Sequence, residues 1–321
     1  MEDKILQKLP GIQRNILLKD YTTYKIGGPA KYFFIAKAKE DLIIALKAAN
    51  EFNLPVFILG GGSNLLVSDN GFLGLIIKMN ISGVKFKGSE AVIGAGYNLT
   101  KLAGLSAKNG LSGLEWAFGI PGATVGGAIY GHAQAFGAKI SDLVESVEAI
   151  NLKTFKSKIF TKKQCQFSLK NSIFKKNKNW VIVSAILKFS KRDKKKIRER
   201  INNFSAYRKK GHPMSFSSAG STFVNTEKKI TNKKLLEKFP ALKEFNKRGV
   251  IPSGYLIEEA GLMGKRIGNA KISEKHANFI VNLGGAKAED VFKLINLAKK
   301  KVKETFGVLL ETEVQLVGFK K

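Results

Sequence analysis

Residues 55–77 read PVFILGGGSNLLVSDNGFLGLII, and this stretch decides the fold class. Val56–Leu59 is a short apolar run of buried-strand character, the cluster Gly60-Gly61-Gly62-Ser63-Asn64-Leu65 follows at once, and a second apolar run covers Leu75–Met79. On the N-terminal side, YFFIA from Tyr32 reads as a strand, and Lys39–Asn53 reads as a helix with Leu42, Ala45, Leu46 and Ala49 on one face. Strand, helix, strand and glycine turn make a βαβ-like unit, which sets residues 1–80 apart as a first lobe. On the C-terminal side, residues 81–203 alternate short strands (Ala91–Ile93, Val147–Ile150, Val181–Phe189) with a helix near Leu99–Asn109 and a long glycine-rich stretch, a second lobe. Residues 204–321 form a third region that ends in an amphipathic helix, Ala288–Phe306, stopped by Gly307, and an alternating strand, Val308–Val317. The expected class is α+β.

The 321 residues are 44% hydrophobic, enough for packed cores and not for a disordered tail. Net charge is +30, the mark of a nucleic-acid binder if it were concentrated on a reading surface. Most of the excess instead sits in residues 151–250, and the basic residues are overwhelmingly Lys, whereas base and phosphate readers exploit the Arg fork. A Lys-rich solvated face explains it better, and nucleic acid is not the expected partner. A lone cysteine, Cys165, excludes an internal disulfide framework. His132, His212 and His276 lie far apart without ligand spacing, so no metal is expected. Residues 1–18 lack the apolar core of a signal peptide, and no uncharged apolar run reaches the ~18 residues of a membrane span, which predicts a cytoplasmic protein without membrane insertion.

Four segments carry chemistry. In Gly60–Leu66 three glycines after a strand let backbone N–H groups approach a phosphate, with Ser63 and Asn64 adding side-chain donors; a plain turn is the bland alternative. Gly119–Gly137, GIPGATVGGAIYGHAQAFG, interleaves apolar residues with glycines, which fits a loop packed against a cofactor rather than a flexible linker. Neither is a familiar nucleotide motif: at Gly94-Ala95-Gly96 the third glycine is missing, and at Gly264-Lys265 the following Arg266 stands where a P-loop needs Ser or Thr. Two glycine loops on two lobes suggest an extended phosphate-bearing cofactor. Ser217–Asn225, SSAGSTFVN, leaves the Ser221 hydroxyl room among small residues, although serine-rich loops are common. In Gly307–Gly318, GVLLETEVQLVG, Glu311 and Glu313 share one face of a strand whose other face is Leu310, Thr312 and Val314.

Taken in order, TTYKIGGPAKYF (22–33), PVFILGGGSNLLVSDNGFLGLII (55–77), GLEWAFGIPGATVGGAIYGHAQAFG (113–137), FSSAGSTFVN (216–225), LIEEAGLMGKRIGNAKISEKHANFIVN (256–282) and FGVLLETEVQLVG (306–318) resemble the UDP-N-acetylenolpyruvoylglucosamine reductase family, over almost the whole chain. The resemblance implies a two-lobed FAD-binding module of the vanillyl-alcohol oxidase type plus a C-terminal α+β substrate domain. It implies FAD with its pyrophosphate at Gly60, Gly61, Gly62, Ser63, Asn64 and Leu65. The rest of the cofactor would lie along Gly119, Ile120, Pro121, Gly122, Thr124, Gly126 and Gly127, with Arg208 near the flavin. It further implies a sugar-nucleotide substrate, NADPH as hydride donor through FAD, and a proton from Ser221 to the carbon beside the substrate carboxylate. Glu313 takes the place of the family's glutamate, and Asn225, Lys210 and His276 fall where substrate is bound.

The chain departs from the family at several of these places. In Cys165–Phe174, CQFSLKNSIF, Leu169 and Lys170 stand where Tyr and Arg are usual, so Lys170 keeps the charge and loses the planar fork. Gly211 replaces a lysine, with Lys209 and Lys210 beside it; Ala123 lengthens the IPG-TVGG loop by one residue; His132 and Gln134 replace Asn and Gly. The short span between Lys188 and Ser215 leaves no room for a tyrosine-bearing insertion and places the chain in the shorter branch. Two alternatives stand beside the main reading: another FAD oxidoreductase of the same superfamily, or a catalytically impaired basic relative that binds nucleic acid.

Overall fold

The computed structural model describes residues 2–319. The chain divides into two compact units, one made of residues 1–17, 29–62 and 72–208, the other of 18–28, 63–71 and 209–321. The division after Arg208 falls inside one helix, Lys194–Gly211, close to the expected boundary at residue 203. Residues 18–28 and 63–71, read from sequence within the first lobe, are packed in the C-terminal unit.

Among the described residues the first unit holds two larger sheets beside two short two-stranded ones. One is four-stranded, in the order Gln13–Leu17, Pro29–Ala36, Phe72–Met79, Val56–Leu59, with the last three strands parallel. The helix Lys39–Glu51 makes the crossover between Pro29–Ala36 and Val56–Leu59 that parallel strands require. Its start is fixed by the Asp41 carboxylate, which accepts from the N–H groups of Lys37 and Ala38 at 2.9 Å each, and it buries Leu42, Ala45, Leu46, Ala48 and Ala49. The other sheet is antiparallel and five-stranded, in the order Ser157–Thr161, Val144–Asn151, Trp180–Lys188, Glu90–Gly94, Val84–Lys87. One cluster of buried side chains runs through both expected lobes, from Ile5 to Phe189, and so they fold around a common core.

In the second unit a three-stranded antiparallel sheet, Arg266–Ile267, Ala270–Ile272 and Ile280–Asn282, packs against the helix Ala288–Phe306. That helix has the expected bounds, burying Val291, Leu294, Ile295, Ala298, Val302 and Phe306, and closes on Gly307 in the left-handed conformation. Its first N–H groups, at Ala288 and Glu289, are met by the Asp69 carboxylate, which is how residues 63–71 are tied into this unit. The terminal strand is shorter than the alternation predicted: only Gln315–Val317 pairs, in parallel with Leu65–Val67. Residues 308–314 keep alternating burial but bond through the isolated bridge Phe223–Thr312, so periodicity marked the faces correctly and overstated the ladder. The strong basic excess has a visible address in the Lys194–Gly211 helix, where Lys194, Lys195, Lys196 and Arg198 are exposed. No helix among the described residues is long and apolar enough to cross a membrane.

Candidate active site

In the first unit, the two glycine-rich segments meet backbone to backbone. A Cβ placed on Gly61 would lie 1.4 Å from the Gly122 carbonyl oxygen, and one on Gly60 would lie 2.9 Å from Thr124 Oγ1. No side chain fits at Gly61. Among the described residues, the N–H groups of Gly60, Gly61, Gly122, Ala123 and Thr124 donate to no protein acceptor. Two buried side-chain donors within residues 113–137, Trp116 Nε1 and Gln134 Nε2, also lack partners among the described residues. Unmet donors with no acceptor among them suit an anion, and a pyrophosphate supplies the acceptors such a cradle needs.

One cation borders this cradle and a second lies beside the Gly119 turn. Lys78, alone in the apolar strand Phe72–Met79, donates to the Gly60 carbonyl, and burial lowers its ammonium from the ordinary lysine value. Arg208, 6% exposed, donates to the carbonyls of Trp116 and Phe118 (2.7 Å to the latter) and lies 5.0 Å from the Phe136 ring centroid. Its guanidinium is lowered by burial and has no carboxylate partner among the described residues, so a buried positive charge waits beside the Gly119 turn. Lys78 was missed from sequence; a single lysine interrupting LIIKM was the available signal.

Not all of the predicted cofactor residues present free groups. Gly126 spends its N–H on the Ala95 carbonyl at 2.8 Å and Gly127 on Thr124 Oγ1 at 3.3 Å. Ile120 accepts from Thr100 Oγ1, while Pro121 is exposed and Gly119 and Gly122 adopt positive φ to turn the loop. Gly62 closes the run at φ 67°; Ser63, Asn64 and Leu65 then pass into the second unit. There Asn64 Nδ2 donates to the Glu313 carbonyl at 3.1 Å, the Asn64 carbonyl accepts from Gln315 N–H at 3.0 Å, and Leu65 is buried in a strand. Asn64 therefore places the Glu313 segment, a use the reading as a phosphate donor did not contain.

In the second unit, Ser221 and Glu313 sit on adjoining stretches of backbone. Glu313 N–H donates to the Thr222 carbonyl at 2.8 Å, and Val224 N–H to the Glu311 carbonyl at 2.9 Å. Asn278 holds the other side: its carbonyl accepts from Thr222 N–H, its Oδ1 from Phe223 N–H, and its Nδ2 donates to the Phe223 carbonyl. Ser253 Oγ donates to the Val224 carbonyl, and Thr23 Oγ1 to that of Ser218. Amid this clamping Ser221, half-buried after Gly220 at φ 77°, has a hydroxyl with no partner among the described residues. Asn278, Ser253 and Thr23 carry no local sequence signal, because each acts from a distant segment.

Of the expected substrate residues, Asn225 accepts at Oδ1 from Ser253 N–H at 3.1 Å, and Lys210 is exposed in the last turn of its helix. His276 packs edge-on against His212 and Phe279, and its Nδ1 accepts from Asn278 N–H at 3.2 Å, which leaves the ring proton on Nε2. Burial lowers the His276 imidazole below the ordinary histidine value, so it is neutral near pH 7. Lys170 lies in the first unit on a tight turn, half-buried, at φ 51°. Cys165 is buried, which pushes its thiol up to about 11 and makes it a poor nucleophile.

Residues 30–154 match the model of the FAD binding domain, and residues 212–317 match that of the UDP-N-acetylenolpyruvoylglucosamine reductase C-terminal domain. Proteins named UDP-N-acetylenolpyruvoylglucosamine reductase from Anoxybacillus flavithermus and Bacillus subtilis are 37% and 34% identical, the alignments covering 100% and 98% of this chain and 99% of each relative. The crystal structure of the reductase of that name from Thermus caldophilus superposes with a TM-score of 0.76 at 33% identity, covering 95% of this chain and 98% of that one. With the anion cradle in its first unit and the clamped serine in its second, the chain belongs to the UDP-N-acetylenolpyruvoylglucosamine reductase family of FAD-dependent oxidoreductases.

Proposed function

We propose that this chain reduces the enolpyruvyl group of UDP-N-acetylglucosamine enolpyruvate, using NADPH, to give UDP-N-acetylmuramate for peptidoglycan synthesis. The observation that carries the reading is the unpartnered Ser221 hydroxyl on backbone fixed from both sides. Bound FAD would supply the hydride that adds to the terminal carbon of the enolpyruvyl double bond. The carbon beside the carboxylate then needs a proton, and Ser221 Oγ–H is the donor. A hydroxyl gives up its proton only where the negative charge on the substrate is met at the same moment, and Glu313 and Lys170 serve around that transfer, Lys170 through its charge.

The cradle at Gly60, Gly61, Gly122, Ala123 and Thr124 would take the pyrophosphate of FAD, with Lys78 balancing its charge and Arg208 serving near the flavin. In the second unit, Lys210 and the Nε2–H of His276 suit the anionic and carbonyl oxygens of a sugar nucleotide, and Asn225 still has its side-chain amide to offer.

Ser221→Ala tests the assignment. The reduction of the bound flavin by NADPH should proceed at the wild-type rate, while reoxidation by the enolpyruvyl sugar nucleotide should slow by about 10²–10⁴-fold, the usual worth of a positioned acid. Reoxidation at the wild-type rate would remove Ser221 from the reaction.

A further inference from the structure

We propose that His132 is a positioning residue that fixes the turn bearing Lys170; the inference rests on the reading of Lys170 as a participant in the reaction. His132 is 5% exposed and sits at φ 46°, a left-handed conformation uncommon for residues other than glycine. Its Nδ1 donates to the Ser168 carbonyl, since a carbonyl can only accept, and its Nε2 is hydrogen-bonded to Ser141 Oγ at 2.8 Å. The ring lies on Phe167, centroids 4.9 Å apart and planes inclined by 32°.

The anchored segment is the Ser168–Asn171 turn, whose ends exchange N–H···O bonds of 3.0 and 3.1 Å. Lys170 occupies it at φ 51°, which strains a lysine, so an unheld turn would relax. Two further bonds oppose that. Ser172 Oγ donates to the Tyr130 carbonyl at 2.8 Å, and Lys175 Nζ to the carbonyl of Lys170 itself at 2.9 Å. Tyr130 and His132, two positions apart at the end of the glycine-rich stretch, thus grip Ser172 and Ser168 on either side of Lys170. This fixes the direction of the Lys170 Cα–Cβ bond although the residue is on a loop. A lysine, whose ammonium lacks the guanidinium's spread of donors, depends more on such a fixed base than the arginine it replaces.

The test is a double-mutant cycle on the FAD-loaded enzyme with kcat, KM for NADPH, flavin content and melting temperature as readouts. His132→Phe keeps the ring against Phe167 and removes both hydrogen bonds. Beside Lys170 it should lower kcat about tenfold with flavin content and KM for NADPH unchanged, and in the Lys170→Met background it should change kcat less than about twofold. His132→Gln, which can still donate to Ser168, should restore part of the rate. An equal fall in both backgrounds, or no fall beside Lys170, overturns the proposal. If His132→Phe does not fold, Ser141→Ala is the substitute, with a fall of about threefold expected beside Lys170 only; no fall there overturns the proposal. A Lys170→Met enzyme with unchanged kcat would end the reading of Lys170, and this inference with it; a lowered kcat in Lys170→Met with none in His132→Phe would end this inference alone.

Discussion

The glycine cradle of the first unit and the serine segment of the second are both sites of unmet hydrogen-bonding groups, but they are built in opposite ways. At Gly60–Gly61 and Gly122–Thr124 the donors are backbone amides, and what makes the geometry possible is the absence of side chains: two main chains approach until no Cβ fits between them. At Ser221 the unmet group is a side chain, and its backbone is set by hydrogen bonds from Asn278, Ser253, Thr23 and the Glu313 segment, all remote in sequence. A site made by omission tolerates nothing added. A site made by clamping degrades in proportion to the clamps removed.

The sharpest way to break that contrast is Gly61→Ala. A single methyl group placed 1.4 Å from the Gly122 carbonyl must force the two loops apart, and FAD affinity should fall by about 100-fold, equivalent to the upper range of overpacking penalties. Titration of flavin fluorescence with apoprotein reads it; unchanged affinity would mean that the cradle does not hold the cofactor. Asn278→Ala removes two of the three bonds on the Ser221 side and leaves the Phe223 N–H and carbonyl buried without partners, which should cost about 2 kcal/mol of stability in denaturant unfolding, with FAD affinity intact. Lost FAD affinity there would dissolve the distinction between the two regions.

Smaller effects sharpen it. Lys170→Arg should leave flavin binding as it is and raise kcat about threefold, because a forked donor meets a carboxylate better than a point charge; a tenfold fall would refute that role. The slightest effect is a pH dependence. The folded state holds His276 neutral by burial, while the unfolded chain takes up the proton near the ordinary value of 6.5. The unfolded state binds more protons, so the melting temperature should decline as pH falls below about 6.5 and through the depressed value, and His276→Asn should flatten that slope. An unaltered slope would place the titration elsewhere.

The contrast also explains what the sequence disclosed. The GGGSNLL and GIPGATVGG stretches were legible because glycine has few reasons to cluster other than close backbone approach, and the crossover helix and the Ala288–Phe306 helix because burial imposes a period. The roles proposed for Ser221 and Glu313 rest on family resemblance, since a serine among small residues looks like any loop. Asn278, Ser253 and Thr23 were not legible at all: their role lies in which distant carbonyl or amide each one meets. Asn64 shows the same limit inside a readable motif, for nothing near it in sequence points to the hydrogen bond by which its side chain holds the Glu313 backbone. His132 is another case, a histidine without ligand spacing whose two nitrogens join Ser141 to the Ser168 turn.

The most direct measurement is the visible spectrum of the purified protein taken through one anaerobic cycle. Flavin absorption should be present, should bleach on addition of NADPH, and should return only when UDP-N-acetylglucosamine enolpyruvate is added, in stoichiometric amount. A colourless protein, or a bleached flavin that this sugar nucleotide does not reoxidise, would contradict the account.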